Sequence, residues 1–410
     1  MKKKFNFILA SATCSEREFD KTHIKDEDKI AQSAGKYFRN LCEGLVYNGQ
    51  TVKTFTVRPT TKKECGQTVL KSKDEIVNGV HYHYSTDIYI KGIKRVNSII
   101  RSFCWFLNKQ NCKKKDIVII DPLNISLSIG AVLACKLRKI TLIADITDVP
   151  ICYAFGTENK ISLSQRISFN LGKSADMFIF LTEQMNKLMN PRCKPYIVME
   201  GFSDIKMKER NISFENKYDK PIIMYTGAIE KIYGIDILVK GFIKANIPNS
   251  ELHLYGAGSY TDEVIKLSKK YQNIKYMGCR SNSVIVEEQM KATLLVNPRY
   301  TNAEYTKYSF PGKNMEYMAS GTSVLTTNLP GMPEDHKRYV FLLKDETDEG
   351  VSNSLKHIFS IDNKKLYKFG LEAKKFVINE KSNYIQCKKI IEFIYKNNLC
   401  NKGAYMKNRD

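Results

Sequence analysis

Short apolar runs alternate with amphipathic segments along most of this chain. Runs such as Val80–Tyr84 and Ile117–Ile120 have the length of buried strands, whereas Ile93–Leu107 repeats its apolar residues at helical spacing. Such alternation is typical of parallel sheets, because two parallel strands must be joined by a long crossover, usually a helix. The alternation occurs twice, before and after a polar stretch at residues 206–220. We therefore predict an α/β fold with two Rossmann-like, doubly wound domains.

The length of 410 residues also favours two domains over a single core. We predict an N-terminal Rossmann-like domain over residues 1–205, a linker over 206–220, a C-terminal Rossmann-like domain over 221–382 and a last helix within 383–410. Ligands of doubly wound sheets bind at the carboxyl ends of the strands. The residues that follow predicted strands are therefore the first candidates for function.

The chain is strongly basic, with 65 basic and 43 acidic residues and a net charge of +22. Residues 91–115 contain eight basic residues and no acidic one, and their apolar residues recur at helical spacing. A basic amphipathic helix is typical of membrane-surface proteins, and equally of a domain helix with a solvated basic face. In the first interpretation, an anionic membrane surface contacts Lys94, Arg95, Arg101, Phe103 and Trp105. No motif of interleaved basic and aromatic residues predicts a nucleic-acid partner.

Eleven cysteines are scattered singly, without the paired spacing of a zinc site or a disulfide framework. This pattern indicates reduced thiols, as in a cytosolic protein, and predicts no metal site. Residues Met1–Ala12 combine a basic start with a short apolar run, which fits a secretory signal or a first buried strand. No apolar run in the sequence is long enough for a membrane-spanning helix.

The segment Tyr308–Thr327 contains the most informative pattern. A Pro311-Gly312 turn precedes a predicted helix that carries Lys313 and Glu316. The first N–H groups of a helix lack intrahelical acceptors and the helix dipole is positive at this end, so anions bind there. Lys313 adds a full positive charge, and Glu316 is placed to accept hydrogen bonds from a ribose. The pattern fits the diphosphate and ribose of a nucleotide-sugar, or an ordinary surface helix after a turn.

Other residues with suitable chemistry follow strands of the same predicted domain. Gly227 allows the backbone to approach a phosphate closely, and Lys231 and Arg299 are cations on loops at strand ends. Each cation alone is better explained as a solvated surface residue. Together with Lys313 they share one edge of the predicted sheet, where they can neutralise a diphosphate without a metal.

The helix segment resembles the donor-binding segment of GT-B glycosyltransferases of the retaining family-4 type, in the branch that reads SFPxKxxEYxASG. The helix-start Ser, Pro and Lys of that pattern fall on Ser309, Pro311 and Lys313, and the ribose-binding Glu falls on Glu316. The resemblance implies the GT-B fold, in which two Rossmann-like domains face each other across a cleft. It also implies a nucleotide-sugar as substrate, with no cofactor and no metal.

Two more stretches agree with the family in order and spacing. Residues 222–229, followed by 233–238, resemble the first strand and phosphate loop of the C-terminal domain, and residues 252–258 with 273–278 resemble the next unit. The resemblance is specific from residue 222 to 327 and diffuse over the first two hundred residues. It favours the buried strand at the N-terminus, and it implies that the last helix crosses back onto the first domain.

The sequence departs from the family pattern at three positions. Ala228 stands where an Arg usually follows the phosphate-loop Gly, and Tyr233 stands where a Lys precedes the next Gly, so Lys231 replaces that Lys only approximately. Tyr308 occupies the position of the Glu that usually contacts the donor sugar. Glu304 and the backbone of Ser309 are the alternatives for that contact.

In the first domain, acidic residues follow two predicted strands. Asp121 stands where the family has a sugar-contacting His, and Asp145 and Asp148 follow the next strand. Asp145 is placed to bind an acceptor hydroxyl, although an Asp after a buried strand equally often caps the following turn. We take Asp121, Asp145 and Lys313 as the catalytic candidates. The spacing Asp-x-x-Asp differs from the Asp-x-Asp of metal-dependent transferases.

These observations predict a retaining, metal-independent glycosyltransferase. It transfers a sugar from a nucleotide-sugar to a saccharide acceptor, lipid-linked in the preferred hypothesis, in the synthesis of a bacterial surface polysaccharide such as capsule or lipopolysaccharide. The protein is then cytoplasmic and peripheral on the inner face of the plasma membrane. Two alternatives stay open: a catalytically silent GT-B relative that binds membranes through its basic face, and a nucleotide-sugar 2-epimerase.

Overall fold

A computed structural model describes residues 4–22, 33–149 and 161–407, which form two compact units. The first unit contains the described residues up to Phe202 together with the C-terminal segment from Asn383, and the second contains Ser203–Ser382. Within the described ranges, no helix combines the length and apolar character needed to cross a membrane.

The first unit is built on an eight-stranded sheet. Its strands, with a separate pair formed by β3 and β6, are β1 (Asn6–Ser11), β2 (Thr51–Thr56), β3 (Val69–Leu70), β4 (Glu75–Val77), β5 (Val80–Tyr84), β6 (Asp87–Ile88), β7 (Ile117–Ile120), β8 (Thr141–Ile146), β9 (Met177–Phe180) and β10 (Tyr196–Val198). The order in the sheet is β10-β9-β8-β7-β1-β2-β5-β4, and every neighbouring pair is parallel except β4 with β5. The chain therefore winds outward in both directions from β1 and β7, as predicted.

Eight helices of the described chain belong to this unit. They are α1 (Glu16–Thr22), α2 (Ser33–Tyr47), α3 (Lys62–Cys65), α4 (Ile93–Leu107), α5 (Ile125–Arg138), α6 (Leu163–Lys173), α7 (Glu183–Met189) and the last helix of the chain, α15 (Asn383–Lys407). The last helix lies on α2, where Asn383 Nδ2 donates to the carbonyl of Asn40 at 3.1 Å. Phe7, Ile119 and Ile179 belong to the buried apolar core of this unit.

The second unit contains a six-stranded sheet in which every pair is parallel. In chain order its elements are β11 (Ile222–Thr226), α8 (Ile235–Ala245), β12 (Glu251–Tyr255), α9 (Thr261–Lys270), β13 (Ile274–Gly278), α10 (Asn282–Lys291), β14 (Leu294–Asn297), α11 (Gly312–Ala319), β15 (Ser323–Thr327), α12 (Glu334–Lys337), β16 (Phe341–Leu343), α13 (Asp348–Phe359) and α14 (Asn363–Lys381). The strand order is β13-β12-β11-β14-β15-β16. The order reverses between β11 and β14, which is where doubly wound sheets bind ligands.

Alternate residues of the β11–β14 pair point to opposite faces of the sheet. Ile223, Tyr225 and Leu294 belong to one buried cluster, and Met224 and Leu295 belong to another. Both faces are covered, so the strands read as continuous apolar runs in the sequence. The sequence predictions did not include β16, α13 or α14.

Residues 206–220, which we predicted to be a linker, lie in the second unit instead. Lys217 Nζ donates to the carbonyl of Ala292 at 2.9 Å and to Thr322 Oγ1 at 2.6 Å, and the carbonyl of Ile212 accepts from Tyr367 OH at 2.8 Å. The stretch is polar because its side chains and carbonyls pair with the unit, and a polar composition alone does not distinguish this from a solvated linker.

Candidate functional site

The loops after β11 and β14 meet at the point where the strand order of the second sheet reverses. Gly227 follows β11 with a φ of +135°, a backbone conformation that side chains rarely allow. Gly234 makes the two loops fit together, because a Cβ at this position would lie 1.6 Å from the carbonyl oxygen of Pro298. The backbone after β11 is therefore held against the loop that carries Arg299.

The helix α11 begins at Gly312, and its N-terminus has no side-chain cap, since the preceding residue is Pro311. Lys313, in the first turn, reaches back to the end of β11: its Nζ donates to Tyr225 OH at 3.0 Å and lies 4.1 Å from the centre of that ring. Burial, together with the positive charge of Arg299, lowers the pKa of Lys313 to about 7. The Lys313 ammonium is thus poorly solvated, and a bound anion would stabilise its charged form.

Arg299 completes the cationic part of this region. Its guanidinium lies 4.4 Å from the centre of the Tyr233 ring, and its Nε is buried with no hydrogen-bond acceptor in the described parts of the chain. The side-chain oxygen of Ser309 is likewise buried and without a partner there. Orphaned buried polar atoms are uncommon in proteins, and beside an uncapped helix start they are available to a ligand.

A buried amide network fixes α11 to the sheet. Asn297 Nδ2, at the end of β14, donates to Asn314 Oδ1 at 2.8 Å, and Asn314 Nδ2 donates to Thr326 Oγ1 at 3.2 Å. Tyr317 adds a second attachment, because its hydroxyl accepts from the backbone N–H of Thr226 at 2.8 Å. The start of α11 is therefore held rigidly beside the carboxyl ends of β11 and β14.

Glu316 lies one turn beyond Lys313 and is held by a residue that the sequence analysis did not identify. Gln289 on α10 donates from its Nε2 to Glu316 Oε1 at 2.9 Å, and the same amide contacts Thr226 Oγ1 at 3.3 Å. Gln289 is completely buried, and its Oε1 has no hydrogen-bond partner among the described residues. The hydrogen bond from Gln289 thus fixes one carboxylate oxygen of Glu316. No local pattern marks Gln289, since it is a single polar residue in an ordinary helix.

The other predicted residues of this domain lie differently. Lys231 is exposed on a short 3-10 turn, with its Nζ 5.4 Å from the centre of the Tyr260 ring instead of over Tyr225. Glu304, one alternative for the donor-sugar contact, forms an ion pair with Lys307 at 2.8 Å. Gly227, Arg299, Ser309 and Lys313 with Glu316 therefore form the core of the candidate site, and Lys231 lies at its margin.

In the first unit, the predicted acidic residues lie at the carboxyl ends of the neighbouring strands β7 and β8. Asp145 is fully buried, and Tyr37 OH on α2 is 3.1 Å from both of its carboxylate oxygens. Burial raises the pKa of Asp145 well above its usual range, and it raises the pKa of Asp121 to about 7. Asp121 Oδ1 accepts from the backbone N–H of Leu123 at 3.0 Å, so Asp121 has the turn-capping role that we had considered for Asp145.

This geometry changes the prediction for Asp145. With no exposed surface, its carboxyl cannot contact an acceptor hydroxyl directly, and the half-buried Tyr37 stands over it. Tyr37 also stacks on Phe202, with ring centres 4.8 Å apart. No local pattern marks Tyr37, because its role depends on a contact with a residue 108 positions away along the chain.

The residues predicted to contact a membrane lie on α4, and two of the five differ from expectation. Lys94, Arg95 and Arg101 are exposed, whereas Phe103 and Trp105 are half-buried. Trp105 packs inward, with its ring centre 5.0 Å from that of Phe55. Trp105 lies on the side of α4 that packs onto the sheet, so the aromatic insertion that we predicted from helical spacing is wrong for this residue.

A family of known proteins matches the part of the chain that holds the candidate site of the second unit. Residues 220–360 match the family model described as Glycosyl transferases group 1. The second unit is therefore similar to this family over most of its length. The match includes the loop after β11, Arg299, α11 and Gln289. No curated protein matches the chain.

Solved structures match the chain over nearly its whole length. The sucrose-phosphate synthase (tll1590) from Thermosynechococcus elongatus superposes with a TM-score of 0.69 at 16% identity, covering 97% of this chain and 100% of that one. A glycosyltransferase from Rickettsia africae ESF-5 gives a TM-score of 0.67 at 16% identity, over 97% and 99% of the two chains. Anabaena Alr3699/HepE in complex with UDP gives 0.61 at 13% identity, over 96% and 100%. At these identities the likeness establishes the fold, and the predicted GT-B fold class is confirmed.

Proposed function

We propose that this protein is a retaining glycosyltransferase that binds a nucleotide-sugar in its second unit. The observation that carries the proposal is the grouping of Lys313, Arg299 and the uncapped start of α11 around Gly227. Transfer of a glycosyl group leaves a nucleoside diphosphate, whose charge must be stabilised as the bond to the sugar breaks. Two cations and free backbone N–H groups at one point supply that stabilisation without a metal.

Glu316 provides the second element of donor recognition. Its carboxylate accepts hydrogen bonds, and a ribose diol offers two donors. Gln289 donates to Oε1 and so positions the carboxylate on α11, one turn beyond Lys313. We place the diphosphate at the helix start and the ribose one helical turn later, about 5.4 Å along the axis.

Retention, metal independence and the acceptor are parts of the same proposal. They are supported by the sequence resemblance and by the cations of the site. The acceptor we propose is a lipid-linked saccharide of a bacterial surface polysaccharide, and the protein then works peripherally on the inner face of the plasma membrane. The basic helix α4 supports this location.

The donor assignment is tested by calorimetric titration with UDP and with inorganic pyrophosphate, because UDP is the nucleotide bound to the Anabaena neighbour. Lys313→Ala removes a charged hydrogen bond worth about 1.5–3 kcal/mol, so both ligands should bind about 10- to 150-fold more weakly. Glu316→Gln should weaken UDP and leave pyrophosphate unchanged. Lys307→Ala, an exposed neighbour paired with Glu304, is the matched control and should change neither.

The same titrations test metal independence. Binding of UDP should survive excess chelator, because Lys313 and Arg299 neutralise the diphosphate. Loss of UDP binding in chelator, with recovery on adding Mg²⁺ or Mn²⁺, would show that a metal ion neutralises the diphosphate instead. If wild-type protein binds neither UDP nor another nucleoside diphosphate, the alternative of a silent relative replaces this proposal.

A further inference from the structure

Two neighbouring helices of the first unit carry aliphatic side chains that are largely exposed. On α4 these are Ile93, Val96, Ile100 and Leu107, with exposed fractions of 41–56%, and on α5 they are Leu133 at 52% and Leu137 at 70%. We call these six residues the α4–α5 face. The four on α4 are spaced by three, four and seven residues, so they form one stripe along the helix.

The two stripes lie on either side of the seam between the helices. The helices touch at Gly130, where a Cβ would lie 2.5 Å from the carbonyl oxygen of Ile99 and 2.6 Å from the backbone nitrogen of Phe103. Leu133 and Leu137 follow Gly130 by three and seven residues and so lie on its side of α5. The last turns also meet, because Arg138 Nη1 donates to the carbonyl of Phe106 at 2.7 Å. The α4–α5 face is therefore a continuous apolar strip.

The charged residues carried by the two helices themselves have one sign. Residues 91–115 and 125–139, which include both helices, contain no acidic residue. Lys94, Arg95 and Arg101 are exposed on α4, as are Lys136 and Lys139 at the end of α5. Within this group, Lys136 has a carboxylate partner, Asp176, at 3.0 Å. An aliphatic strip bordered by long cationic side chains is complementary to a surface that is apolar below and anionic above.

We propose that the α4–α5 face docks on an anionic lipid bilayer, with Leu133 and Leu137 of α5 inserting beside the stripe of α4. This inference deepens the peripheral location stated above and rests on the proposed function for its lipid-linked acceptor. It differs from the sequence prediction in the residues that insert: aliphatic side chains of two helices take the place of Trp105. The bordering cations supply the attraction to anionic headgroups, at roughly fivefold in affinity for each charge near the surface.

The test is co-sedimentation of the full chain with phosphatidylcholine vesicles and with vesicles containing phosphatidylglycerol, at low and at high salt. Wild-type protein should bind the anionic vesicles, lose most binding at high salt and keep a salt-resistant remainder from insertion. The double variant Leu133→Ser, Leu137→Ser should lose that remainder and bind at least tenfold more weakly. Lys94→Glu with Arg95→Glu and Arg101→Glu should abolish the preference for anionic lipid.

Two controls isolate the surface. Leu163→Ser removes a leucine that is 73% exposed on α6, outside the α4–α5 face, and Trp105→Phe changes the inward-packed aromatic residue. Both variants should bind vesicles as wild type does. Wild-type binding by the double leucine variant, or equal binding to neutral and anionic vesicles, would overturn the proposal. So would a concentration-dependent dimer that the same substitutions dissociate, since a second copy would then cover the face.

Nucleotide binding distinguishes this inference from the function it rests on. Every substituted residue lies in the first unit, so all variants should retain the wild-type affinity for UDP in the absence of vesicles. Vesicle binding without UDP binding would leave the docking surface standing and remove the donor site. UDP binding without vesicle binding would leave the donor site standing and remove the docking surface.

Discussion

Gly227→Ala is the substitution that best separates the candidate donor site from the fold around it. The new Cβ would lie 2.2 Å from Lys313 Nζ and 2.9 Å from its Cε, where about 3.4 Å is the normal limit for such contacts. The atom in the way is the flexible end of a lysine, so the lysine moves by about 1 Å or more and the backbone need not. That movement removes Nζ from Tyr225 OH, to which it donates at 3.0 Å.

The expected effect on binding equals the loss of the Lys313 contact to phosphate. A charged hydrogen bond of about 1.5–3 kcal/mol corresponds to a rise in the UDP dissociation constant of about 10- to 150-fold. Stability also falls, because the φ of +135° at Gly227 strains any residue with a side chain, at about 1–3 kcal/mol. Isothermal titration measures the first quantity, and urea unfolding followed by circular dichroism measures the second.

Gly201→Ala is the matched control, since it changes a glycine of the first unit that has a φ of +113° and nothing within 4 Å of a new Cβ. It should lower the stability by a similar amount and leave the affinity for UDP near wild type. The pathway through Lys313 is tested by a double-mutant cycle: in a Lys313→Met background, Gly227→Ala should add little further loss of affinity. A folded Gly227→Ala protein that binds UDP as wild type does would refute the reasoning.

Three further predictions concern the titration of Lys313, the role of Gln289 and the titration of Asp121. The pKa of Lys313 is about 7 in the free protein, and a bound diphosphate raises it. UDP affinity should therefore fall as pH rises from about 7 to 9, by at most tenfold per pH unit. Lys313→Met should remove this pH dependence. Gln289→Met should weaken UDP and leave pyrophosphate unaffected in the same titrations, since Gln289 positions Glu316 and not the phosphate groups. Asp121 has a folded-state pKa of about 7, above its unfolded value of 3.8, so the folded state binds the extra proton between these values and the free energy of unfolding falls as pH rises through them. Asp121→Asn should reduce that fall in urea titrations, and an unchanged pH profile would show that the Asp121 carboxyl is not titrating there.

The sequence predicted the second unit well where local patterns carry the information. A Pro-Gly turn followed by a helix specifies both the position of Lys313 and the direction of its N–H groups, and Gly227 follows a buried strand that is readable from composition. The contact between Lys313 and Tyr225 was not predictable, because it joins residues 88 positions apart. Gln289 was missed for the same reason, and its contact to Glu316 becomes visible only when α10 and α11 lie side by side.

Elsewhere the sequence signal was ambiguous for identifiable physical reasons. The spacing of α4 gave the correct bounds, Ile93–Leu107, but it did not say which apolar side faces the sheet. We therefore predicted insertion of Trp105, although its ring centre lies 5.0 Å from that of Phe55. The sequence did not distinguish the exposed leucines of α5, because apolar residues occur on several sides of that helix. Residues 206–220 illustrate the opposite error, in which side chains that bond to the second unit resemble those of a linker.

The two candidate sites differ in how their charged groups are compensated, and this difference bears on what each can bind. In the second unit, Lys313 and Arg299 have tyrosine rings and a hydroxyl as neighbours, and neither forms an ion pair with a described residue. A poorly solvated cation without a carboxylate partner is costly to keep, and its charge is fully available to an anion. In the first unit the opposite holds, because Asp145 is buried beneath Tyr37 and its pKa is raised well above the usual range. The hydroxyl of the half-buried Tyr37, and not the fully buried Asp145 carboxyl that it contacts, is the polar group that an uncharged hydroxyl could meet. This charge distribution is compatible with the proposal of an anionic donor in the second unit and an uncharged saccharide at the strand ends of the first.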